Sequence, residues 1–177
     1  MTCQDQFPDV SKIIMEQITL HPDTFCVDDL MDEMYHYVLR KLKNQGKPDI
    51  GVEILKYSDF EKCQICADRI RLRQILFNLL DNTVKCTENG YVFFGYRITN
   101  TNMIDFFVED TGDGIPESQL PFIFKRFNHE EQDNDHLGLF VSRGLVQLMG
   151  GELNIESSDI AGETFSFSIA CNPCEIA

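Results

Sequence analysis

"RLRQILFNLLDNTVKCTENG", residues 71–90, carries two patterns on one helix. Leu72, Ile75, Leu76, Leu79, Leu80 and Val84 recur at steps of three and four, the stripe by which an amphipathic helix meets a core. Gln74, Asn78, Asn82 and Lys85 lie toward the opposite side. Asparagine is a poor helix former because its amide competes for backbone hydrogen bonds. Glu, Lys or Gln would serve a solvated face better, so two asparagines one turn apart, followed by a lysine, point to a task beyond solvation. An ordinary wet surface stays open as the plainer reading of this helix alone. A neutral amide oxygen at Asn82 can ligate Mg²⁺ without adding repulsion against a polyphosphate, and Lys85 offers a phosphate its charge.

Downstream, the apolar run "MIDFFV" leads into "VEDTGDGIP", residues 108–116, where Gly112 and Gly114 are flanked by Glu109, Asp110 and Asp113. Glycine-rich turns commonly hold phosphate, but carboxylates repel it, so phosphate alone does not account for this loop. Taken by itself, the segment is also compatible with an ordinary loop after a strand.

The rest of the chain falls into place around these two stretches. A short strand "TFCV" precedes a helix opened by Asp28 and Asp29, with Leu30, Met34, Tyr37, Val38 and Leu42 at helical spacing, ended near Gln45 by Gly46 and Pro48. "GVEILKYS" alternates as a strand and "CQICA" is a second short one. After the helix of residues 69–87 come strands near 91–99 and 103–110, joined by "TNTN" as a hairpin. A Phe-rich stretch, the polar loop "NHEEQDND", a helix over 137–149 capped by Gly150 and Gly151, and the strand pair "ELNIESS" and "TFSFSIA" complete the order. This predicts an α/β fold, a two-layer α/β sandwich whose mixed sheet carries its helices on one face. Residues 1–23 read as a linker or tail and residues 24–177 as one domain.

Fifteen Lys and Arg against 29 Asp and Glu leave a formal net charge of −14, which repels polyanions and argues against nucleic-acid binding. A small anion can still be held by a few focused cations and N–H groups. No apolar run approaches the roughly 20 residues of a membrane span, and the N-terminus lacks a signal pattern, so no membrane contact and a cytoplasmic setting are expected. Two CxxC pairs, Cys63/Cys66 and Cys171/Cys174, could supply zinc with four thiolates. Their long separation and the absence of a glycine turn favour free thiols in a reducing compartment.

"RLRQILFNLLDNTVKCTENG" resembles the N box of sensor histidine kinases, members of the ATPase superfamily that includes DNA gyrase and mismatch-repair proteins. "DTGDGIP" resembles the first glycine box of that family and "IFKRF" its F box. "LGLFVSRGLVQLMGGELNIESS" is similar to the second glycine box with its helix, and "AGETFSFSI" to the closing strand. "DVSKIIMEQITLHPDTFCVDDL" looks like the junction that follows the kinase dimerisation helices, so the likeness covers nearly the whole chain.

The resemblance implies a Bergerat-type ATP-binding catalytic domain over residues 24–177, with 1–23 as the linker from a dimerisation domain absent here. Its cofactors would be ATP and Mg²⁺. Asp110 would accept a hydrogen bond from the exocyclic amine of adenine, which guanine lacks at that position. Gly112 and Gly114 would let the backbone approach the ring, with Ile115 and Phe127 beside it and Thr164 as a second adenine-side contact. Asn78, Asn82 and Lys85 would hold the phosphate end, with Asn82 on the metal and Asn78 and Lys85 in catalytic positions. N–H groups at the helix start, Leu137, Gly138 and Leu139, would add to the anion site, as would Lys125 or Arg126. Hydrolysing relatives carry a glutamate where Asn78 stands, and an amide cannot act as a base. That implies phosphoryl transfer to a histidine on the dimerisation domain, in the same full-length protein or in trans, then to a response regulator. A monomer is expected for the chain alone, either as a free cytoplasmic domain or as the cytosolic part of a membrane-bound sensor.

The match has gaps. In "NDHLGL", Asn134 and His136 stand where glycines are expected, and the loop before them carries four acids. His21, His36, His129 and His136 lie outside any phosphoacceptor context. A non-catalytic pseudokinase or interaction domain of the same fold, or a related protein-serine kinase, is the alternative.

Overall fold

The computed structural model describes residues 18–57, 63–100, 103–112, 114, 137–158, 162–170 and 172–173. Its elements are β1 (Asp23–Cys26), α1 (Val27–Asn44), β2 (Gly51–Tyr57), β3 (Gln64–Ala67), α2 (Arg69–Cys86), β4 (Tyr91–Asn100) and β5 (Met103–Asp110). They continue with α3 (Leu137–Leu148), β6 (Leu153–Ser158), β7 (Gly162–Ala170) and β8 (Asn172–Pro173).

A five-stranded sheet has the order β2-β4-β5-β7-β6. The β2/β4 pair is parallel, because the connection between them runs through α2, and the other pairs are antiparallel. Strand periodicity sends alternate residues to opposite faces. On β5 the inward row is Ile104, Phe106, Val108 and Asp110, and on β7 it is Ile169, Phe167, Phe165 and Glu163, all buried. These rows pair in register, Ile104 with Ile169, Phe106 with Phe167 and Val108 with Phe165. The helices supply the facing layer with Leu30, Met31, Met34 and Val38 of α1, Leu72, Ile75, Leu76 and Leu79 of α2, and Leu139, Leu145 and Val146 of α3. The observed architecture is therefore the mixed-sheet, two-layer sandwich expected.

α2 is fixed at both ends. Asp68 caps it by accepting from the Arg71 N–H at 3.0 Å, while its other oxygen takes the His21 N–H at 2.8 Å. At the C-terminus the Lys47 ammonium donates to the carbonyls of Val84, Lys85 and Thr87 at 3.3, 3.2 and 2.9 Å, satisfying groups the helix leaves open.

Two features differ from the sequence expectation. β1, β3 and β8 form a separate three-stranded sheet, and the sequence pattern gives no strand at β8. Its strands have four, four and two residues, too short for a periodic signal. Ile18 and Leu20 also rest against the core, ahead of the boundary expected at residue 24. No described helix is long and apolar enough to cross a membrane. Cys26, Cys63, Cys66 and Cys86 are free thiols, and Cys171 and Cys174 lie outside the described residues.

Candidate functional site

Asp110 ends the inward row of β5, where an apolar residue would continue the core. Only 1% of it is exposed. Its Oδ1 accepts the Gly112 N–H at 2.8 Å, and the carboxyl also accepts the backbone N–H of Glu163. Its Oδ2 has no hydrogen-bond partner among the described residues. Burial pushes the acid above the usual carboxylate range and Glu109 adds to that, while the two N–H groups oppose it.

The backbone around Asp110 admits nothing bulky. A Cβ on Gly162, whose φ is +77°, would stand 2.1 Å from the Asp110 carbonyl oxygen. A Cβ on Gly112 would lie 3.0 Å from Asp110 Oδ1 and 3.1 Å from the Cys86 carbonyl oxygen, so this turn is wedged against the end of α2. Gly114 takes φ +70°, a conformation that favours glycine.

On α2, Asn78 is 4% exposed and its Nδ2 donates to the Gly138 carbonyl at 3.1 Å and to Ser142 Oγ at 3.2 Å. Gln74, 1% exposed, accepts from Arg71 at 2.8 Å. The polar side of α2 is thus no wet face in this stretch, because α3 packs there. One turn on, Asn82 is half-buried. Lys85 is exposed and its ammonium lies 3.4 Å from Asp81, which also takes Lys41 and the Tyr37 hydroxyl of α1.

Of the predicted site residues, the structure gathers Asp110, Gly112 and Gly114 at the end of β5. It joins Asn78 to Gly138 at the start of α3, between the buried Leu137 and Leu139. It does not bring Thr164 to Asp110. Thr164 pairs with Glu109 and turns to the outer face, where it lines a cleft with Arg97, Asp105, Glu109 and Asn154. Lys85 lies two turns beyond Asn78 on α2 and pairs with Asp81. Ile115, Phe127, Lys125, Arg126, Asn134 and His136 lie outside the described residues.

The residue that shares the Asp110 face is Glu163, 1% exposed, with an Oε2 that has no partner among the described residues. Burial raises its pKa to about 7, with the neighbouring Asp110 charge adding to the shift. Sequence reasoning missed it by one residue. Counting inward from Phe165 in steps of two reaches Glu163, which was the available signal.

A buried acid with an open acceptor beside a glycine turn can read a hydrogen-bond donor. A helix start tied to an amide one layer away can accept an anion. A model of the family described as histidine kinase-, DNA gyrase B-, and HSP90-like ATPase matches residues 67–173, from the end of β3 through β8. The chain belongs to this family.

The chain is similar to the aerobic respiration control sensor protein ArcB of Escherichia coli strain K12, 38% identical over 113 residues that make up 60% of this chain and 14% of ArcB. It is also similar to hybrid signal transduction histidine kinase B of Dictyostelium discoideum, 34% identical over 92% of this chain and 9% of that protein. Among solved structures, full-length ShkA in complex with AMPPNP shares the fold with a TM-score of 0.80 and 26% identity, covering 96% of this chain and 36% of ShkA. The chain therefore spans a small part of the curated relatives it matches. By family and fold it corresponds to the ATPase domain of sensor histidine kinases.

Proposed function

We propose that this domain binds ATP with Mg²⁺ and presents the terminal phosphoryl group to a histidine on a dimerisation domain, for onward transfer to a response regulator. The observation that carries the reading is the unpartnered Oδ2 of buried Asp110 beside Gly112. A buried acceptor left empty is costly, and the exocyclic amine of adenine would satisfy it while a carbonyl at that position would be repelled.

The phosphate end lies toward α2 and the start of α3. Asn78 fixes the α3 N-terminus through Gly138, so the first N–H groups of that helix are held in place for an anion. The half-buried Asn82 amide, one turn beyond Asn78, fits a cation that takes most of its ligands from water and phosphate. Bound there, Mg²⁺ would supply charge neutralisation at the phosphates. Asn78 has no basic form that could activate water, which favours transfer over hydrolysis. Lys85 reaches the phosphates only by leaving Asp81, and so contributes charge from the periphery.

Calorimetric titration of the chain with ATP and Mg²⁺ tests this, with Asp110→Asn and Asn82→Ala each expected to weaken binding at least tenfold. Unchanged affinity in both variants would place the nucleotide elsewhere. A chain bearing the dimerisation histidine, mixed with this domain and labelled ATP, should acquire acid-labile phosphate.

A further inference from the structure

Two neighbouring strands end their core-facing rows in the same way. Ile104, Phe106 and Val108 lead to Asp110, and Ile169, Phe167 and Phe165 lead to Glu163. Since Glu109 pairs with Thr164, the two acids sit side by side just beyond that rung, and the Glu163 N–H bonds the Asp110 carboxyl. Yet their side chains share no hydrogen bond. Among the described residues Asp110 Oδ2 and Glu163 Oε2 each lack a partner, and both residues are 1% exposed.

The ion pairs seen among the described residues go to other acids, at Asp32, Glu33, Asp81, Glu88 and Asp105. Two buried carboxylates without a cation do not both ionise readily. A proton held on one of them turns the pair into an acceptor beside a donor. The six-membered edge of adenine offers a donor, its exocyclic amine, next to an acceptor, the adjacent ring nitrogen. The same edge of guanine or hypoxanthine offers the reverse.

We infer that Glu163 is a second base-reading residue, which donates from its protonated carboxyl to the adenine ring nitrogen while ionised Asp110 accepts from the amine. This rests on the reading that the site holds an adenine nucleotide. When the base binds with Glu163 already ionised, one proton is taken up from solvent onto that carboxylate. Binding therefore weakens as pH rises past neutrality, and weakens again in acid where Asp110 is protonated.

Among the described residues the surroundings add little competing charge. Burial raises Glu163 to about 7, and Asp110 is the charged neighbour that adds to the shift. β6 places neutral Ser157 opposite it. Glu109 and Glu156 belong to the outer rows, and Arg143 of α3 is exposed. Near the end of α2, Lys85 is engaged with Asp81 and Cys86 is exposed.

The test is titration calorimetry of ADP in excess Mg²⁺ from pH 5.5 to 9, on the wild type and on Glu163→Gln, whose amide keeps a donor but cannot titrate. Ionisation of ADP itself is common to both, so the ratio of the two affinities isolates the carboxyl. Above neutrality the wild type is expected to lose up to about tenfold in affinity per pH unit relative to Glu163→Gln. Heats in two buffers of different ionisation enthalpy should show the wild type taking up more protons per ADP than Glu163→Gln does, by as much as one. Parallel profiles with equal proton counts would remove Glu163 from base reading and leave the ATP site standing. Failure of both proteins to bind ADP at any pH would remove the ATP reading, and this inference with it.

Discussion

The Asn78 side chain reaches from α2 to the Gly138 carbonyl in the first turn of α3, 3.1 Å away, and also donates to Ser142. One buried amide thus ties the helix of the N-box-like motif to the start of the helix proposed to face phosphate. Asn78→Ala removes both bonds inside a packed interface and is expected to cost about 1–3 kcal/mol, read by urea denaturation. Asn78→Asp should cost more, because it sets a carboxylate against a carbonyl. If Asn78→Asp were as stable as the wild type, the interhelical role would be wrong.

Gly162 touches Asp110 backbone to backbone. Its φ of +77° and the 2.1 Å approach of a Cβ to the Asp110 carbonyl oxygen make Gly162→Ala both strained and overcrowded. We expect a loss on the order of 2–3 kcal/mol and at least a tenfold loss of ADP affinity, since β7 must back away from Asp110. Gly46→Ala is the control. Its φ is +73° but a Cβ there meets nothing within 4 Å, so about 1 kcal/mol and unaltered affinity are expected. Equal losses in the two variants, by thermal melts and calorimetry, would show that crowding at Asp110 does not matter.

Periodicity carried much of this site and also set its limit. The strand that ends at Asp110, the hairpin that delivers it, and the spans of α2 and α3 were legible in the sequence, because each element is long enough to leave a pattern. Thr164 faces away from Asp110. Adjacent strand residues face opposite sides of a sheet, so the neighbour on the Asp110 face is Glu163. The burial of Gln74 and Asn78 was hidden for another reason, since a helix pattern cannot distinguish water from a second helix on its polar side. The small sheet escaped notice because its pairing partners are far apart in sequence and only two to four residues long.

Two lysines near the end of α2 should separate stability from binding. Lys47 serves three terminal carbonyls and pairs with Glu88 at 2.8 Å while itself mostly covered. Lys47→Met is expected to destabilise by about 1–2 kcal/mol and to speed amide exchange at Lys85 and Thr87. Lys85 is 44% exposed and its pairing with Asp81 is worth less than about 0.5 kcal/mol. Lys85→Met should therefore leave the melting temperature almost unchanged. A drop in Mg-ATP affinity without a drop in stability would give Lys85 its phosphate role, and neither change would withdraw it.

Glu163 also predicts how the empty domain responds to pH. Its pKa stands at about 7 in the folded state against an ordinary 4.5, so between those values the folded chain holds a proton that the unfolded chain has released. The resulting stability is fully present below 4.5, falls as pH rises, and is gone above about 7. Asp110 is raised as well and adds to the same slope. At Glu33 burial is outweighed by Arg73 and Arg69, which hold the acid low, so it weakens the fold only toward stronger acid. Urea denaturation at intervals from pH 5 to 8 should therefore show wild-type stability declining with pH. Glu163→Gln should flatten much of that slope and exceed the wild type at pH 8 by on the order of 1–3 kcal/mol, because no ionised buried carboxylate is left at that position. A wild type that grew more stable from pH 5 to 8, or a Glu163→Gln protein with the same slope, would mean that Glu163 is already ionised in the folded state at neutral pH. The proton required beside Asp110 would then be absent before any nucleotide arrived.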